Sequence, residues 1–218
     1  MKSYLIHIEC TLCGEIQDAS HVHRLCPECG GVLYPRYDLK TAAKEIDREV
    51  FKDRSPSMWR YFELLPIIDP KNIITLGEGF TPIFEIDKVA KMLSCEQLFV
   101  KDESLNPTAS FKARGLSAAV SKALEFGISK ITIPSAGNAA GAMTAYAAKA
   151  GIESYVFMPQ DAPEANQKEV SISGAKLELI DGLISDAGKR SAQLATELDL
   201  FDVSTLKEPY RVEGKKTM

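Results

Sequence analysis

The chain has 218 residues, of which 45% are hydrophobic and 26% are charged, with a formal net charge of -4 and an isoelectric point near 5.5. This length and composition allow a substantial buried core, so disorder of the whole chain is excluded. The charge balance gives no footprint for nucleic acid or an anionic membrane, and no apolar run is long enough to cross a bilayer. We expect one large domain, a small appendage and a small-molecule partner.

The cysteines and the N-terminus both bear on the cellular compartment. The opening MKSYLIHIEC becomes polar too soon for a signal peptide, which favours a cytoplasmic protein. Four of the five cysteines form two Cys-x-x-Cys pairs, and such pairs fit metal binding in a reducing compartment better than a disulfide framework. The fifth, Cys95, has no adjacent cationic side chain and is predicted to be a small buried apolar residue.

Residues 1–37 are predicted to form a zinc ribbon. Cys10 and Cys13 are followed by glycine, as are Cys26 and Cys29, and glycine lets the backbone turn back toward the sulfurs. Four thiolates at this spacing close a tetrahedral shell around one zinc ion, which makes the site structural rather than catalytic.

Other readings of this segment are weaker. A redox pair would need one Cys-x-x-Cys to open a helix in a βαβ unit, and a nucleic-acid-binding ribbon would need a basic surface. Since the four thiolates fill the shell, His7, His21 and His23 are predicted to be solvated loop residues.

The residues after the ribbon divide into two segments with different patterns of apolar residues. Residues 38–80 are predicted to be a helical linker, with two helical pieces broken at Ser55-Pro56. From Glu96 onward short apolar runs alternate with helical patterns. The runs are 98–100, 131–133, 155–158, 177–180 and one beginning at Phe201, and the helices are 111–126, 138–150, 163–173 and 184–198. This alternation predicts an α/β domain over 81–218, with a parallel sheet and helices on both faces. Gly127, Gly151 and Gly174 are predicted to end helices.

Lys112 is the candidate catalytic residue. It falls at the start of a predicted helix, after the turn Asn106-Pro107-Thr108. The positive end of the helix dipole and partial burial both disfavour an ammonium and lower the pKa of the lysine. A lysine that is partly neutral can attack an aldehyde to form a Schiff base.

A second motif follows the strand 131–133. Its small residues open the helix 138–150 and let backbone amides converge into an anion site. They are Ser135, Ala136, Gly137, Asn138 and Ala139.

The two motifs together resemble those of fold-type II pyridoxal-phosphate enzymes. LNPTASFKARG is similar to the PTGSFKxRG segment of that group, although Ala109 stands where glycine is common. The resemblance implies that Lys112 holds pyridoxal 5'-phosphate covalently, with Phe111 and Asn138 at the cofactor. It also implies that residues 135–139 bind the substrate carboxylate.

Two further segments resemble the threonine synthases within that group. They are WRYFELLP, which contains Trp59 and Tyr61 as predicted packing residues, and LGEGFTP at 76–82. The preceding zinc ribbon occurs in one branch of these enzymes. The resemblance implies conversion of O-phosphohomoserine and water to threonine and phosphate, with Lys112 as acid and base at the α and β carbons.

Several alternatives stay open. The chain could carry another β-replacement or elimination activity, such as that of a cysteate synthase or threonine dehydratase, or be a non-catalytic zinc-ribbon module. A homodimer is one candidate assembly. No glycine-rich cradle for a cofactor phosphate is visible in the sequence, so we expect these residues to be the front portion of an enzyme. We also expect them to bind the cofactor weakly and to make no threonine by themselves.

Overall fold

The computed structural model describes residues 2–218, which begin with a small antiparallel sheet. Strands β1 (Leu5–Cys10), β2 (Ile16–Gln17) and β3 (Leu33–Tyr37) are arranged in the order β2-β1-β3. Ile8 and Cys10 alternate with more exposed neighbours along β1, so one face of this sheet is buried. His7 lies within β1 rather than in a loop, so the prediction for this histidine was wrong. The first Cys-x-x-Cys pair begins at the end of the strand.

The segment after the ribbon contains less regular helix than its pattern predicts. Helix α1 (Leu39–Glu45) begins at Asp38, whose carboxylate accepts a hydrogen bond from the Thr41 amide. Two 3-10 helices follow, Arg48–Lys52 and Met58–Leu64, on either side of the predicted break. The 3-10 form is common in short connecting turns. The second helix buries Trp59, whereas Tyr61 is 40% exposed.

The first predicted strand of the α/β region lies outside the parallel sheet. Strand β5 (Phe99–Lys101) pairs antiparallel with β4 (Ile83–Glu85), and α2 (Asp87–Met92) connects the two. Their apolar side chains are largely exposed, so this unit has little packing around it. Cys95 follows α2 in this unit and is exposed, which corrects the prediction that it is buried.

The other four predicted strands form the parallel sheet, in the order β8-β7-β6-β9. They are β6 (Lys130–Pro134), β7 (Glu153–Pro159), β8 (Lys176–Ile180) and β9 (Phe201–Asp202). The helices between them are α4 (Asn138–Ala150), α5 (Glu164–Ile172) and α6 (Ile184–Leu198), and α3 (Lys112–Glu125) precedes β6. Gly127, Gly151 and Gly174 have φ of +71°, +69° and +77°, as expected of glycines that follow helices.

Both faces of this sheet are covered, as predicted. Along β7, Val156 and Met158 join the core that includes α4, whereas Tyr155 and Phe157 pack with Ala187 of α6. Successive side chains of a strand point to opposite faces, so α4 and α6 lie on opposite sides. The fold is therefore an α/β sheet with a cysteine-bearing ribbon before it. In residues 2–218, no helix is long and apolar enough to cross a membrane.

The last helix, α7 (Arg211–Lys215), crosses α3 at very short range. A Cβ at Gly115 would lie 2.7 Å from the carbonyl oxygen of Arg211, and one at Gly214 would overlap the carbonyl oxygen of Arg114. Only glycines at these two positions permit the approach. The crossing places α7 directly beside the first turn of α3.

Candidate active site

Lys112 begins α3 and is half-buried, as the sequence predicts. The turn before it contains two non-glycine residues in the left-handed region, Thr108 (φ +60°) and Ala109 (φ +49°). This conformation is unfavourable for residues with a Cβ, which explains why glycine is common at the second position in the resembling enzymes. The turn directs the chain from β5 into the helix.

An ion pair anchors the same turn. The Arg114 guanidinium donates two hydrogen bonds to the Glu103 carboxylate, of 2.6 and 2.7 Å, and only 1% of the Arg114 side chain is exposed. Thr81 and Asn106 also donate to this carboxylate. Burial alone would raise the pKa of Glu103, but these donors outweigh burial and hold its pKa at about 2. The turn that carries Lys112 is thus fixed by an ion pair that stays charged at neutral pH.

The small-residue loop lies where β6 ends and α4 begins. The Ser135 amide donates to the carbonyl of Phe157 on the neighbouring strand, and α4 starts at Asn138. From α5, the Asn166 side-chain amide donates a 3.0 Å hydrogen bond to the carbonyl of Ala136. The loop is held from two sides, and the first two amides of the 13-residue helix that follows, those of Asn138 and Ala139, have no acceptor within the helix.

Lys112 and this loop face one cleft with a volume of about 520 Å³. Its lining residues are Lys112, Ile133, Pro134, Ser135, Ala136, Gly137, Asn138, Ala139, Ile184, Ser204, Thr205 and Arg211. The structure thus brings together every predicted cofactor and substrate residue except Phe111. The Phe111 ring packs against the lysine instead, with its centroid 4.3 Å from the Lys112 Nζ.

The environment of Lys112 lowers the pKa of its amine. In the described residues, Lys112 makes no salt bridge to a carboxylate. Burial, and then the nearby Arg211 guanidinium, lower the pKa of Lys112. A lysine amine of this kind, unpaired and in a cleft, is suited to attack a carbonyl carbon.

Arg211 is the residue that the sequence reasoning missed. Only 3% of it is exposed, its Nη1 donates to the Val203 carbonyl, and its Nε has no hydrogen-bond partner within residues 2–218. Lys215, one turn later, has its pKa lowered by burial and then by Arg211 and Lys112. The one sequence signal for Arg211 is the basic run PYRVEGKK. That run lies about 100 residues after Lys112, and no local pattern predicts that the two are close in the fold. The Arg211 guanidinium lines the cleft and Lys215 lies one turn away, so the positive potential there favours an anionic ligand.

The four cysteines of the ribbon form a separate cluster. Their sulfurs lie within 4.8 Å of one another, and the closest pairs are Cys10–Cys29 (3.5 Å), Cys13–Cys29 (3.5 Å) and Cys13–Cys26 (3.6 Å). Sulfurs bound tetrahedrally to zinc at about 2.3 Å would lie roughly 3.8 Å apart, so the set fits one zinc ion. The Leu12 amide also donates to the Cys10 sulfur.

A comparison with known proteins places the chain among cofactor enzymes. Residues 74–218 match the family described as pyridoxal-phosphate dependent enzyme. The chain belongs to the pyridoxal-phosphate dependent enzyme family.

Among curated relatives, the chain is similar to threonine synthases. That of Methanosarcina acetivorans is 34% identical over 215 residues, covering 98% of this chain and 52% of the relative. That of Methanocaldococcus jannaschii is 33% identical over 210 residues, covering 96% and 51%. That of Synechocystis is 36% identical over 170 residues, covering 75% and 44%. The chain spans about half the length of the curated relatives it matches.

Solved structures agree on the fold. Escherichia coli diaminopropionate ammonia lyase in complex with D-serine superposes with a TM-score of 0.59 at 18% identity, covering 67% of this chain and 45% of that chain. Maize serine racemase gives a TM-score of 0.56 at 24% identity, covering 62% and 41%. A pyridoxal 5'-phosphate-dependent aspartate racemase gives 0.56 at 26% identity, covering 62% and 43%.

Proposed function

We propose that this chain is the cofactor-bearing portion of a threonine synthase, with Lys112 as the residue that holds pyridoxal phosphate. The observation that carries the proposal is that the unpaired Lys112 amine and the loop 135–139 face one cleft. The similarity to threonine synthases over nearly the whole chain supports the substrate, O-phosphohomoserine, and the products, threonine and phosphate.

The residues of the cleft fit the cofactor and an anionic substrate. Lys112 offers an aldehyde an amine whose pKa is lowered by burial and Arg211, and Phe111 packs against that amine on one side. Asn138 begins α4 and lines the cleft, so it would help to hold the cofactor there. The amides of the loop 135–139 can bind a carboxylate. The Arg211 guanidinium supplies a buried cation for a phosphate group of the cofactor or the substrate.

When bound, pyridoxal phosphate withdraws electrons from the bonds at the substrate α carbon. The protein supplies the remaining functions. Lys112 would take a proton from the α carbon and then one from the β carbon, so that the γ-phosphate leaves with the electron pair of its C–O bond. Protons would return to the γ and α carbons as the hydroxyl of water adds at the β carbon. The loop 135–139 holds the substrate carboxylate so that its α and β carbons stay within reach of that amine.

We also propose that Cys10, Cys13, Cys26 and Cys29 hold a structural zinc ion, supported by the spacing of their sulfurs. The division into a ribbon (1–37), a linker (38–80) and a cofactor domain (81–218) belongs to this proposal. So does a cytoplasmic location, since cysteine pairs that bind a metal fit a reducing compartment.

Reductive trapping tests the lysine assignment. The chain is incubated with pyridoxal phosphate, reduced with borohydride and digested, and the pyridoxyl label is mapped by mass spectrometry. We expect the label on Lys112 and its loss in Lys112→Ala. The matched control is Lys101→Ala, because Lys101 donates to the Thr81 carbonyl outside this cleft. A label that persists in Lys112→Ala at the same yield would contradict the proposal.

Activity is measured on the protein extended to the length of its relatives, since these residues span about half of it. Threonine and phosphate should appear in equal amounts from O-phosphohomoserine, and Lys112→Ala should form neither. Formation of a 2-oxo acid without threonine would favour a dehydratase instead.

A further inference from the structure

The ribbon touches the helix that carries Arg211. At the end of β3, the Tyr37 hydroxyl donates a 2.6 Å hydrogen bond to Oε2 of Glu213 on α7. Lys216 donates to the same oxygen at 2.5 Å and lies 4.0 Å from the centroid of the Tyr37 ring. A second contact joins the Tyr210 hydroxyl to the His21 carbonyl at 3.4 Å. The ribbon therefore holds α7 from one side at two points.

On its other side α7 is held by α3. The two backbones are in direct contact where they cross, with Gly214 against Arg114 and Gly115 against Arg211. Helix α7 has only five residues, too few for it to be stable without such contacts. Its position is thus set jointly by α3 and by the ribbon.

The guanidinium of Arg211 depends on that position. The carboxylates of Glu208 and Asp202 attract the Arg211 guanidinium, but Glu208 accepts its hydrogen bonds from the backbone amides of Tyr210 and Arg211 rather than from the guanidinium. The guanidinium itself donates to the Val203 carbonyl through Nη1. Because the guanidinium makes no salt bridge to a carboxylate within residues 2–218, we expect a shift of α7 to move it relative to Lys112.

We propose that the ribbon is a positioning element for the cleft, and that Tyr37, through Glu213, holds Arg211 beside Lys112. This inference rests on the proposed function, because it takes the cleft to be the site of an anionic ligand and of the reactive lysine. It gives the ribbon a role in the chemistry of the cleft, although its cysteines lie outside that cleft. Tyr37 and Glu213 are positioning residues, since neither lines the cleft.

The test compares Tyr37→Phe with Tyr34→Phe. Tyr34 lies on the same strand, but its hydroxyl accepts from Arg36 within the ribbon. Each variant is titrated with inorganic phosphate, and the labelling of Lys112 by pyridoxal phosphate and borohydride is followed against pH. Zinc content and the thermal unfolding midpoint are recorded for each.

Tyr37→Phe should weaken phosphate binding by about 2- to 30-fold, the range expected when one coupling contact is lost. The pH at which Lys112 becomes labelled should also rise, because Arg211 and Lys215 of α7 are the cations beside the amine and Arg211 lowers its pKa. A loss of stability alone would not move that pH. Tyr34→Phe should behave as wild type in both measurements.

Glu213 supplies a second pair of variants. Glu213→Ala should reproduce Tyr37→Phe, whereas Glu213→Gln keeps an acceptor oxygen for Tyr37 and should restore the labelling pH. If Tyr37→Phe fails to fold, this pair decides the matter. The inference is overturned if Tyr37→Phe, or Glu213→Ala, matches wild type in both phosphate affinity and labelling pH. Absence of Lys112 labelling in the wild-type chain would instead overturn the proposed function.

Discussion

The Tyr146 hydroxyl on α4 donates a 2.6 Å hydrogen bond to the carboxylate of Glu78, and both side chains are fully buried. The same carboxylate accepts from the Trp59 indole at 2.8 Å and from the Ser117 hydroxyl of α3 at 2.6 Å. One acid thus joins the segment before the α/β sheet to α3 and α4, two of the helices whose first residues line the cleft.

Glu78→Ala should therefore lower the free energy of unfolding by roughly 3 kcal/mol, since it removes a charged acceptor shared by three buried donors and leaves the Tyr146 hydroxyl without an acceptor. The other two donors keep a second acceptor each, because the Trp59 indole also donates to Ser117 and the Ser117 hydroxyl to the Ile74 carbonyl. Tyr146→Phe removes one donor and leaves the others paired, so it should cost only about 1 kcal/mol. Urea unfolding measures both values. Equal losses in the two variants would show that the carboxylate does not organise this cluster.

The cysteine cluster predicts one zinc ion per chain, measured by elemental analysis of the purified, undialysed protein. Cys13→Ser should remove most of the zinc and, because metal binding and folding of such a ribbon are coupled, unfold the N-terminal segment. Cys95→Ser is the matched control, because Cys95 is exposed and outside the cluster. A ribbon that keeps its hydrogen-exchange protection in a chelator would contradict this assignment.

Ala109→Gly should raise the free energy of unfolding by about 1 kcal/mol, because Ala109 has φ of +49° and glycine adopts this conformation without steric cost. The same substitution at Ala192, which is exposed in α6, should instead lower it by about 1 kcal/mol. Chemical denaturation of both variants checks the opposite signs. A loss of stability in Ala109→Gly would show that the backbone conformation of Ala109 is not strained.

The ion pair of Glu103 and Arg114 predicts an acid-dependent loss of stability. The pKa of Glu103 is about 2 in the folded chain, below its ordinary value of 4.5, so its contribution is complete above about pH 4.5. That contribution is lost as the pH falls toward 2, because the unfolded chain then binds the proton more tightly.

Glu103→Gln should therefore be less stable than wild type at neutral pH and lose less stability between pH 4.5 and 2. Glu164→Gln is the control, because the Glu164 side chain is 77% exposed and its ion pair should contribute little. Denaturant unfolding at several pH values gives the slopes. If stability falls with pH at the same rate in Glu103→Gln and in wild type, Glu103 is not a source of the acid-dependent loss.

Local signals predicted most of the fold. The four parallel strands, the helices between them, the helix-ending glycines and the start of α3 at Lys112 follow from periodicity and turn residues, which act over a few positions. Strand β5 was assigned to the wrong sheet because its pattern of alternation does not specify its partner. Cys95 is exposed because the unit of β4, α2 and β5 packs against little else, and packing is a property of the tertiary structure.

The candidate site shows the same limit. The motif around Lys112 and the loop 135–139 are contiguous in sequence, so both were found, and the structure places them at one cleft. Arg211 lines the cleft only because the close contact at Gly115 and Gly214 packs α7 against α3. Which distant residues such a crossing brings together is not encoded in any local pattern.

The order of the parallel sheet also has a consequence for how the chain folds. Strand β9 pairs with β6 at Ile131 and Phe201, about 70 residues apart, while β7 and β8 lie between them in sequence and on the far side of β6. During synthesis the edge of β6 opposite β7 therefore stays unpaired until the residues of β9 have left the ribosome. Unpaired apolar edges associate with other chains, so we expect nascent chains that end before Leu200 to need chaperones.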